Sequence, residues 1–597
     1  MTLTRRDLLK LGTYSTILVC SSGLHSCNNS DSSDHEFNYG VASGDPQQDS
    51  VILWTRITPN NADRVTVSWE VSRDESFTDI VNQDYTVVDA DRDFTVKVEV
   101  QGLVAGQTYY YRFQCGANDS PVGRTRTLPS QDVEQVSLAV ISCSNYPAGY
   151  FNVYRELAAI DDLDAIVHLG DYIYEYGRTD DEGNPAYASE DAASLGRQVE
   201  PAHDLLTLSD YRTRYAQYRS DPDLQAAHAR HPFIVVWDDH EVANDSYRDG
   251  AENHDEATQG AFSDRRQAAI QAYFEWLPLR PLTPDSAGRI YRQFQFGNLV
   301  NLMMLDTRII GRDKQLDYAD YIDPTTGDFD ATAFTADVAS PARTLLGETQ
   351  RSWLIESMNY STATWQVLGQ QVLMMRMLLP AVTLTPDPTA PTLSLAEYGE
   401  IATAAITYQT LVAQGVDGSD PAALIAAGMT AEQLEIINDP QRMAYLESPF
   451  IPYNLDAWDG YAYDREVLLA NARAAQKNLI SLAGDTHNAW GGRLTNASAE
   501  AVGFEFGAPS VSSPGLEEYL GLSSAGEARG LEPGITQLVT DLDYCNINER
   551  GWLQVTLTPE AATASWYFID SIKQRSYRIE SELSRTLSLS PGATAFD

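Results

Sequence analysis

At 597 residues the chain exceeds what one hydrophobic core ordinarily organises, so two or more domains are expected. Hydrophobic residues at 43 % and charged residues at 21 % place it with folded soluble proteins and exclude whole-chain disorder. Against 41 Lys and Arg stand 84 Asp and Glu, a formal net charge of −43 that repels nucleic acid and anionic membrane, so no nucleic-acid partner is expected.

Such a surface suits a salt-rich medium, where screening relaxes the self-repulsion, and is also met in acidic secreted proteins of other settings. The lysines are Lys10, Lys97, Lys314, Lys477 and Lys573 alone. An anionic substrate would therefore need local positive charge from metal ions or arginine.

The first 27 residues read as an address. Thr4-Arg5-Arg6-Asp7-Leu8-Leu9-Lys10 precedes an apolar run from Leu11 to Cys20, the pattern of a Tat-type export signal. That run is too short to remain as a membrane span. Passage through the Tat export machinery would place the protein in the periplasm, outside the cell or on a membrane anchor. Leu24-His25-Ser26-Cys27 resembles a lipobox with Cys27 as the site of a lipid anchor, and residues 28–36 form a polar tether. Of the five cysteines, Cys115, Cys143 and Cys545 belong to the mature chain. Their odd number leaves at least one outside any internal disulfide, and Cys115–Cys545 is the pairing to test.

Residues 37–130 read as a small antiparallel β-sandwich. Ser50–Arg56, Arg64–Glu70, Phe94–Val100 and Thr108–Phe113 are short, alternating and rich in β-branched and aromatic residues, with turns between them. Nothing in this module clusters as catalytic.

Residues 136–575 follow a different rule. Apolar runs end repeatedly in chemically capable residues: Val136 to Cys143, Asp164 to Asp171, Phe233 to Glu241, Leu299 to Asp306, Trp365 to Gln370 and Asn478 to His487. Open α/β sheets build their sites in this way, at the carboxyl ends of buried strands. Helices are expected between them, over Asp264 to Trp276 and Glu348 to Tyr360. The stretch 379–449, Thr/Pro-rich and then Ala-rich, reads as a helical insertion and a lid or surface elaboration. Residues 576–597 read as a tail.

The strand ends suggest a metal site. Asp171 follows Gly170 in a tight turn, and Tyr174 comes three residues later, within reach of the same point if the turn is helix-like. A carboxylate can bridge two metals, and a phenolate suits a hard trivalent ion. Cys143 ends the preceding strand with a thiolate. Asp485 and His487 share one side of an extended segment. Asp239 offers a ligand beside His240, which can hydrogen-bond a substrate oxygen. Taken singly, each is better explained as a turn, a cap or a core residue. Their recurrence at four strand ends is what makes a site. No serine nucleophile elbow and no Gly-rich phosphate loop with lysine is present in the sequence.

Several motifs together resemble the PhoD family of alkaline phosphatases and phosphodiesterases, within the calcineurin-like metallophosphoesterases. They are Phe37-Asn-Tyr-Gly-Val-Ala-Ser-Gly-Asp45 and Ile52-Leu-Trp-Thr-Arg56 in the first module, then Ser142-Cys-Ser-Asn145, His168-Leu-Gly-Asp-Tyr-Ile-Tyr-Glu-Tyr-Gly177, Trp237-Asp-Asp-His-Glu241, Asp306-Thr-Arg308, Trp458-Asp-Gly-Tyr461 and Gly484-Asp-Thr-His487. The resemblance implies an α/β four-layer sandwich and a site holding Fe³⁺ with Ca²⁺. It assigns Cys143, Tyr174 and His487 to iron, shares Asp171 and Asp485 between metals, and turns Asp239 and Asn244 toward calcium, with Asp238 an alternative to either. It makes His240 the histidine that contacts phosphate. Arg308 is either a bidentate phosphate clamp or one arm of an ordinary salt bridge. The implied reaction is in-line attack on a small phosphomonoester or phosphodiester by a metal-bound hydroxide or oxide. A phospholipase-like phosphodiesterase acting on lipids or wall polymers, and a non-catalytic exported lipoprotein, are the alternatives.

Overall fold

The computed structural model describes residues 35–597 except 61, 181, 282–287, 327–328, 385–392 and 523. The export signal, the lipobox at Cys27 and the tether up to residue 34 lie outside the described residues, as does the Thr/Pro-rich start of the insertion.

Two large sheets carry the molecule. The first has nine strands in the order Arg585–Leu589, Ala562–Ile569, Arg550–Leu557, Val136–Ile141, Ala165–His168, Pro232–Val235, Val41–Gly44, Ser50–Arg56 and Thr95–Gln101. The second has seven: Arg292–Phe296, Val300–Met304, Trp365–Gly369, Asn478–Ala483, Ala501–Gly507, Ala489–Thr495 and Leu542–Asn546. The centre of each is parallel. Strands Val136–Ile141, Ala165–His168 and Pro232–Val235 are buried at every residue, as their unbroken apolar runs require when both faces of a sheet are covered. Val140, Val167 and Ile234 of the first sheet share one core with Leu302, Val367 and Ile480 of the second. On its other face the second sheet packs Leu368 and Leu479 against Leu354 and Leu468 of helices Gly347–Tyr360 and Ala462–Ala474. Helices Asn152–Ala159 and Pro222–Arg230 add Leu157 and Leu224 to the first sheet's core.

The first module is not a free-standing sandwich. Three of its strands complete the nine-stranded sheet, because Val41–Gly44 pairs in parallel with Pro232–Val235. Their opposite partner is a separate five-stranded sheet built on Arg64–Ser72 and Thr108–Cys115. Val51 and Leu53 meet Val67, Trp69, Tyr111 and Phe113 between the two layers. The pairing satisfies backbone groups that would otherwise line an open sheet edge. A boundary drawn at residue 130 therefore divides one sheet between two modules.

The expected tail from 576 also contains sheet. Arg585–Leu589 pairs antiparallel with Ala562–Ile569, and Phe596 packs on Phe504 and Phe506. Cys115 and Cys545 are free and buried in different cores, so the candidate disulfide between them does not form. The insertion is helical as expected, with helices Leu395–Ala413, Pro421–Ala426, Ala431–Ile437 and Pro440–Ala444. A two-stranded ribbon of Leu378–Pro380 with Phe450–Pro452 closes its base.

Both sheets aim their carboxyl edges at one seam. Cys143 N–H donates to Gly170 O at 3.1 Å and Ser144 N–H to Asp171 O at 2.8 Å, joining two loops of the first sheet. Gln371 Nε2 donates to Trp237 O at 2.8 Å and Leu305 O at 2.9 Å, tying the first sheet to the second.

Candidate metal centre

The loops at this seam are strained where ligands are expected. Cys143, Asp171, Asp485 and His487 all have left-handed backbone, with φ of 61°, 55°, 65° and 64°. Non-glycine residues rarely adopt it, and such strain concentrates at functional sites. Gly170 has φ 118°, and a Cβ there would lie 2.4 Å from Asp238 Cβ. Only glycine allows the Asp171 loop and the Asp238 loop to approach this closely.

On one side, Tyr174 Oη lies 3.0 Å from Asp171 Oδ2 and 3.1 Å from His487 Nε2. Donor atoms of Cys143, Asp171 and His487 fall within 4.8 Å of one another. A thiol, a carboxylate, a phenol and an imidazole thus converge. Asp171 also belongs to a second group with Asp239 and His240, and Asp239 to a third with Asp238 and Asp485, each within the same 4.8 Å limit. The groups overlap through Asp171 and Asp239.

Asp171 Oδ1 and Asp239 Oδ1 are buried and accept no hydrogen bond from the protein. Buried carboxylate oxygens are otherwise almost always paired, and a cation would satisfy these two. Burial pushes the Cys143 thiol well above its ordinary pKa, and Asp171 adds to it. Burial likewise raises Asp171 and Asp485 well above the usual carboxylate range, each with help from Asp238. Burial holds His487 neutral, with a pKa lowered to about 3. These donors repel one another as anions until positive charge arrives among them, and metal binding would displace their protons. The residues present fit a pair of cations.

His240 is the exception in sign. Burial opposes its charge, but Asp239, Glu175 and Asp171 together hold the imidazolium well above the ordinary histidine range. Its Nδ1 lies 2.7 Å from Glu175 Oε2, and its ring centroid lies 4.2 Å from that of Tyr174, tilted by 31°. Both His240 and Asn244 line a cavity of about 650 Å³ with Asp171, Asp239, Asp485 and His487. Asn244 Nδ2 donates to Glu252 Oε2 at 2.8 Å, which fixes the plane of its amide.

Arg308 is a salt-bridge residue. Its guanidinium is fully buried and does not line the cavity. It bonds Asp238, reaches Asp485 Oδ1 at 2.9 Å and Asp456 Oδ2 at 2.6 Å, and lies 3.8 Å from Asp239. A phosphate in the cavity would find these N–H groups behind the carboxylates. Of the two roles expected for Arg308 the contacts match the salt bridge: it supplies the counter-charge that lets four aspartates share the interior. Asp238, turned to Arg308, stands behind Asp239.

Several residues at the site carried no signal in the sequence. Ser513 Oγ donates to Tyr174 Oη at 2.6 Å, and its backbone N–H donates to Cys143 O at 3.3 Å. Pro514 O lies 2.5 Å from His487 Nδ1, and Tyr187 Oη is 3.3 Å from that same nitrogen. Glu175 stood inside a quoted motif without a role. Glu241 accepts backbone N–H groups of Asp171, Tyr172 and Asp238, and so pins the two loops that Gly170 brings together.

The family model described as PhoD-like phosphatase matches residues 138–566, which contain every donor above. The chain belongs to the PhoD-like phosphatase family. It is a phosphatase-type hydrolase. A second model, for the N-terminal domain of PhoD-like phosphatases, matches residues 23–129. The chain is 32 % identical over 553 residues to alkaline phosphatase D of Bacillus subtilis (strain 168), covering 89 % of this chain and 78 % of that one. It also resembles a solved structure titled "Structure of PhoD", with TM-score 0.69, 30 % identity and coverage of 94 % and 91 %. Family membership accounts for the two-sheet α/β architecture with its additional N-terminal sheet.

Proposed function

We propose that this chain is an exported metallophosphoesterase that hydrolyses phosphomonoesters, phosphodiesters or both at the seam between its two sheets. The observation that carries this reading is the convergence of Cys143, Asp171, Tyr174 and His487 beside the carboxylates of Asp239 and Asp485 in one cavity. The four-layer sandwich implied by the resemblance is part of this proposal, and the core shared by the two sheets with helices on the far face of the second supports it. Export rests on the twin-arginine segment and its apolar run.

Cys143, Tyr174 and His487 would hold Fe³⁺, with Asp171 and Asp485 shared. Asp239 and Asn244 would turn oxygens to Ca²⁺, the harder ion. Bound cations would neutralise phosphate oxygens and lower the pKa of water. The chain's own residues do the rest. His240, kept protonated by Asp239, Glu175 and Asp171, presents a donor to a phosphate oxygen or the departing alkoxide. Glu175 orients that ring. Arg308 holds Asp238 and Asp485 in place from behind.

The test is hydrolysis of p-nitrophenyl phosphate and bis-p-nitrophenyl phosphate, with and without a chelator, on protein of measured metal content. Turnover abolished by the chelator and restored by iron with calcium is expected. Absence of metal-dependent turnover of either ester refutes the reading.

A further inference from the structure

Beside the polar cavity lies an apolar one. It encloses about 270 Å³, and no charged side chain lines it among the described residues. Met377 and Leu379 supply one wall from the base of the insertion. Trp490, Leu516, Ile535 and Val539 add to the lining. All six are less than a tenth exposed, so the walls are packed protein.

Tyr453 and Tyr519 line both cavities. The polar one ends in the aspartates and His487; the apolar one begins on the other side of the two rings. A tyrosine suits such a border, with an apolar ring face and a polar tip. Tyr519 is 72 % exposed and the neighbouring Leu520 is 40 % exposed. The apolar lining thus continues to the surface beside the mouth of the site.

We propose that this second cavity is a subsite for the organic group of the substrate, and that the preferred substrate is a phosphate ester carrying an alkyl or acyl chain. The phosphate sits among the metal ligands and the chain passes Tyr453 and Tyr519 into the apolar cavity. This rests on the phosphoesterase reading of the metal centre. Continuity with that centre argues for substrate as the occupant. The chain segment nearest in sequence, residues 385–392, is Thr-Pro-Asp-Pro-Thr-Ala-Pro-Thr and has no long apolar side chain to place there. An apolar cavity joined to a polar one by shared walls matches an amphiphile with one charged end.

The experiment compares p-nitrophenyl ethyl phosphate with p-nitrophenyl hexyl phosphate, which share charge and leaving group, below the concentration at which either aggregates. In parallel, calorimetry measures binding of ethyl phosphate and hexyl phosphate. One fully buried methylene is worth roughly fourfold in affinity, so at least a tenfold gain in kcat/KM and in affinity is expected from ethyl to hexyl. Leu516→Asp and, without added charge, Val539→Phe should both reduce that gain to under threefold. Because the readout is a ratio within one preparation, loss of folded protein does not imitate the result. Equal response to ethyl and hexyl, or a gain that survives both substitutions, overturns the proposal. A gain that depends on protein concentration assigns the cavity to a second copy of the chain and also overturns it. Hexyl phosphate bound tightly with neither ester turned over supports the subsite and refutes the phosphoesterase reading alone.

Discussion

Ser513 Oγ donates a hydrogen bond of 2.6 Å to Tyr174 Oη, joining residues 339 positions apart. The backbone N–H of the same serine donates to Cys143 O, and its neighbour Pro514 accepts from His487. One short loop therefore fixes three of the proposed iron donors. Partners of this kind set ligand orientation and basicity, and their loss commonly costs 10- to 100-fold in affinity or activity, by rough estimate. Ser513→Ala should retain the fold, move the phenolate charge-transfer band of the iron-loaded protein to longer wavelength, and lower kcat by about tenfold. An unmoved band in an iron-loaded variant would show that the hydrogen bond does not tune the phenolate.

Cys143 offers a sharper test of the donor set. Its thiol is fully buried between strained loops, and burial leaves it protonated when no cation is near. Cys143→Ala should lose iron while calcium-dependent stabilisation persists, read by elemental analysis and thermal unfolding. Full iron with full activity in that variant removes Cys143 from the ligand set.

Arg308 separates a structural from a substrate-binding role. Leaving Asp238, Asp239, Asp456 and Asp485 without their guanidinium strands several buried charges, a loss of about 3–5 kcal/mol for a buried pair broken on one side. Arg308→Met should lower the urea midpoint strongly, and added divalent cation should recover part of it. A variant of normal stability with only a raised KM would restore the phosphate clamp.

Lys97 predicts a pH dependence away from the site. It is buried on strand Thr95–Gln101, donates to Phe274 O, and burial lowers its pKa from 10.5 to about 7. Below pH 7 both folded and unfolded states carry the proton, and the folded state bears the full cost of a buried charge. Between pH 7 and 10.5 the folded state releases its proton and the unfolded state keeps it, so stability rises with pH. The slope approaches about 1.4 kcal/mol per pH unit at full release. Lys97→Met should flatten unfolding free energy over that window and stabilise the protein most at pH 7 and below. A wild-type slope unchanged in the variant would contradict it.

The helices at Phe262–Trp276 and Gly347–Tyr360 and the buried parallel strands were legible because periodicity and apolar runs are local. The donors were legible because each ends a strand: Cys143, Asp171, Asp239, Asp485 and His487 all follow a buried run in the sequence. The first module's place in the larger sheet was not. Val41–Gly44 reads the same whether it pairs within its own module or with Pro232–Val235, and only the partner's position decides. Arg308 posed the same difficulty, since a guanidinium that holds phosphate and one that holds aspartate look alike until burial is known.

By itself the sequence determined the α/β class, the strand ends and the kinds of atom placed at the metal centre. These depend on neighbours a few residues apart. Tertiary structure alone decided which of those ends meet, that Ser513 and Pro514 hold Tyr174 and His487, and that Arg308 faces inward to four carboxylates. Those relationships span tens to hundreds of residues. Burial and distance, set by the packing of two sheets, control the charge each group can carry.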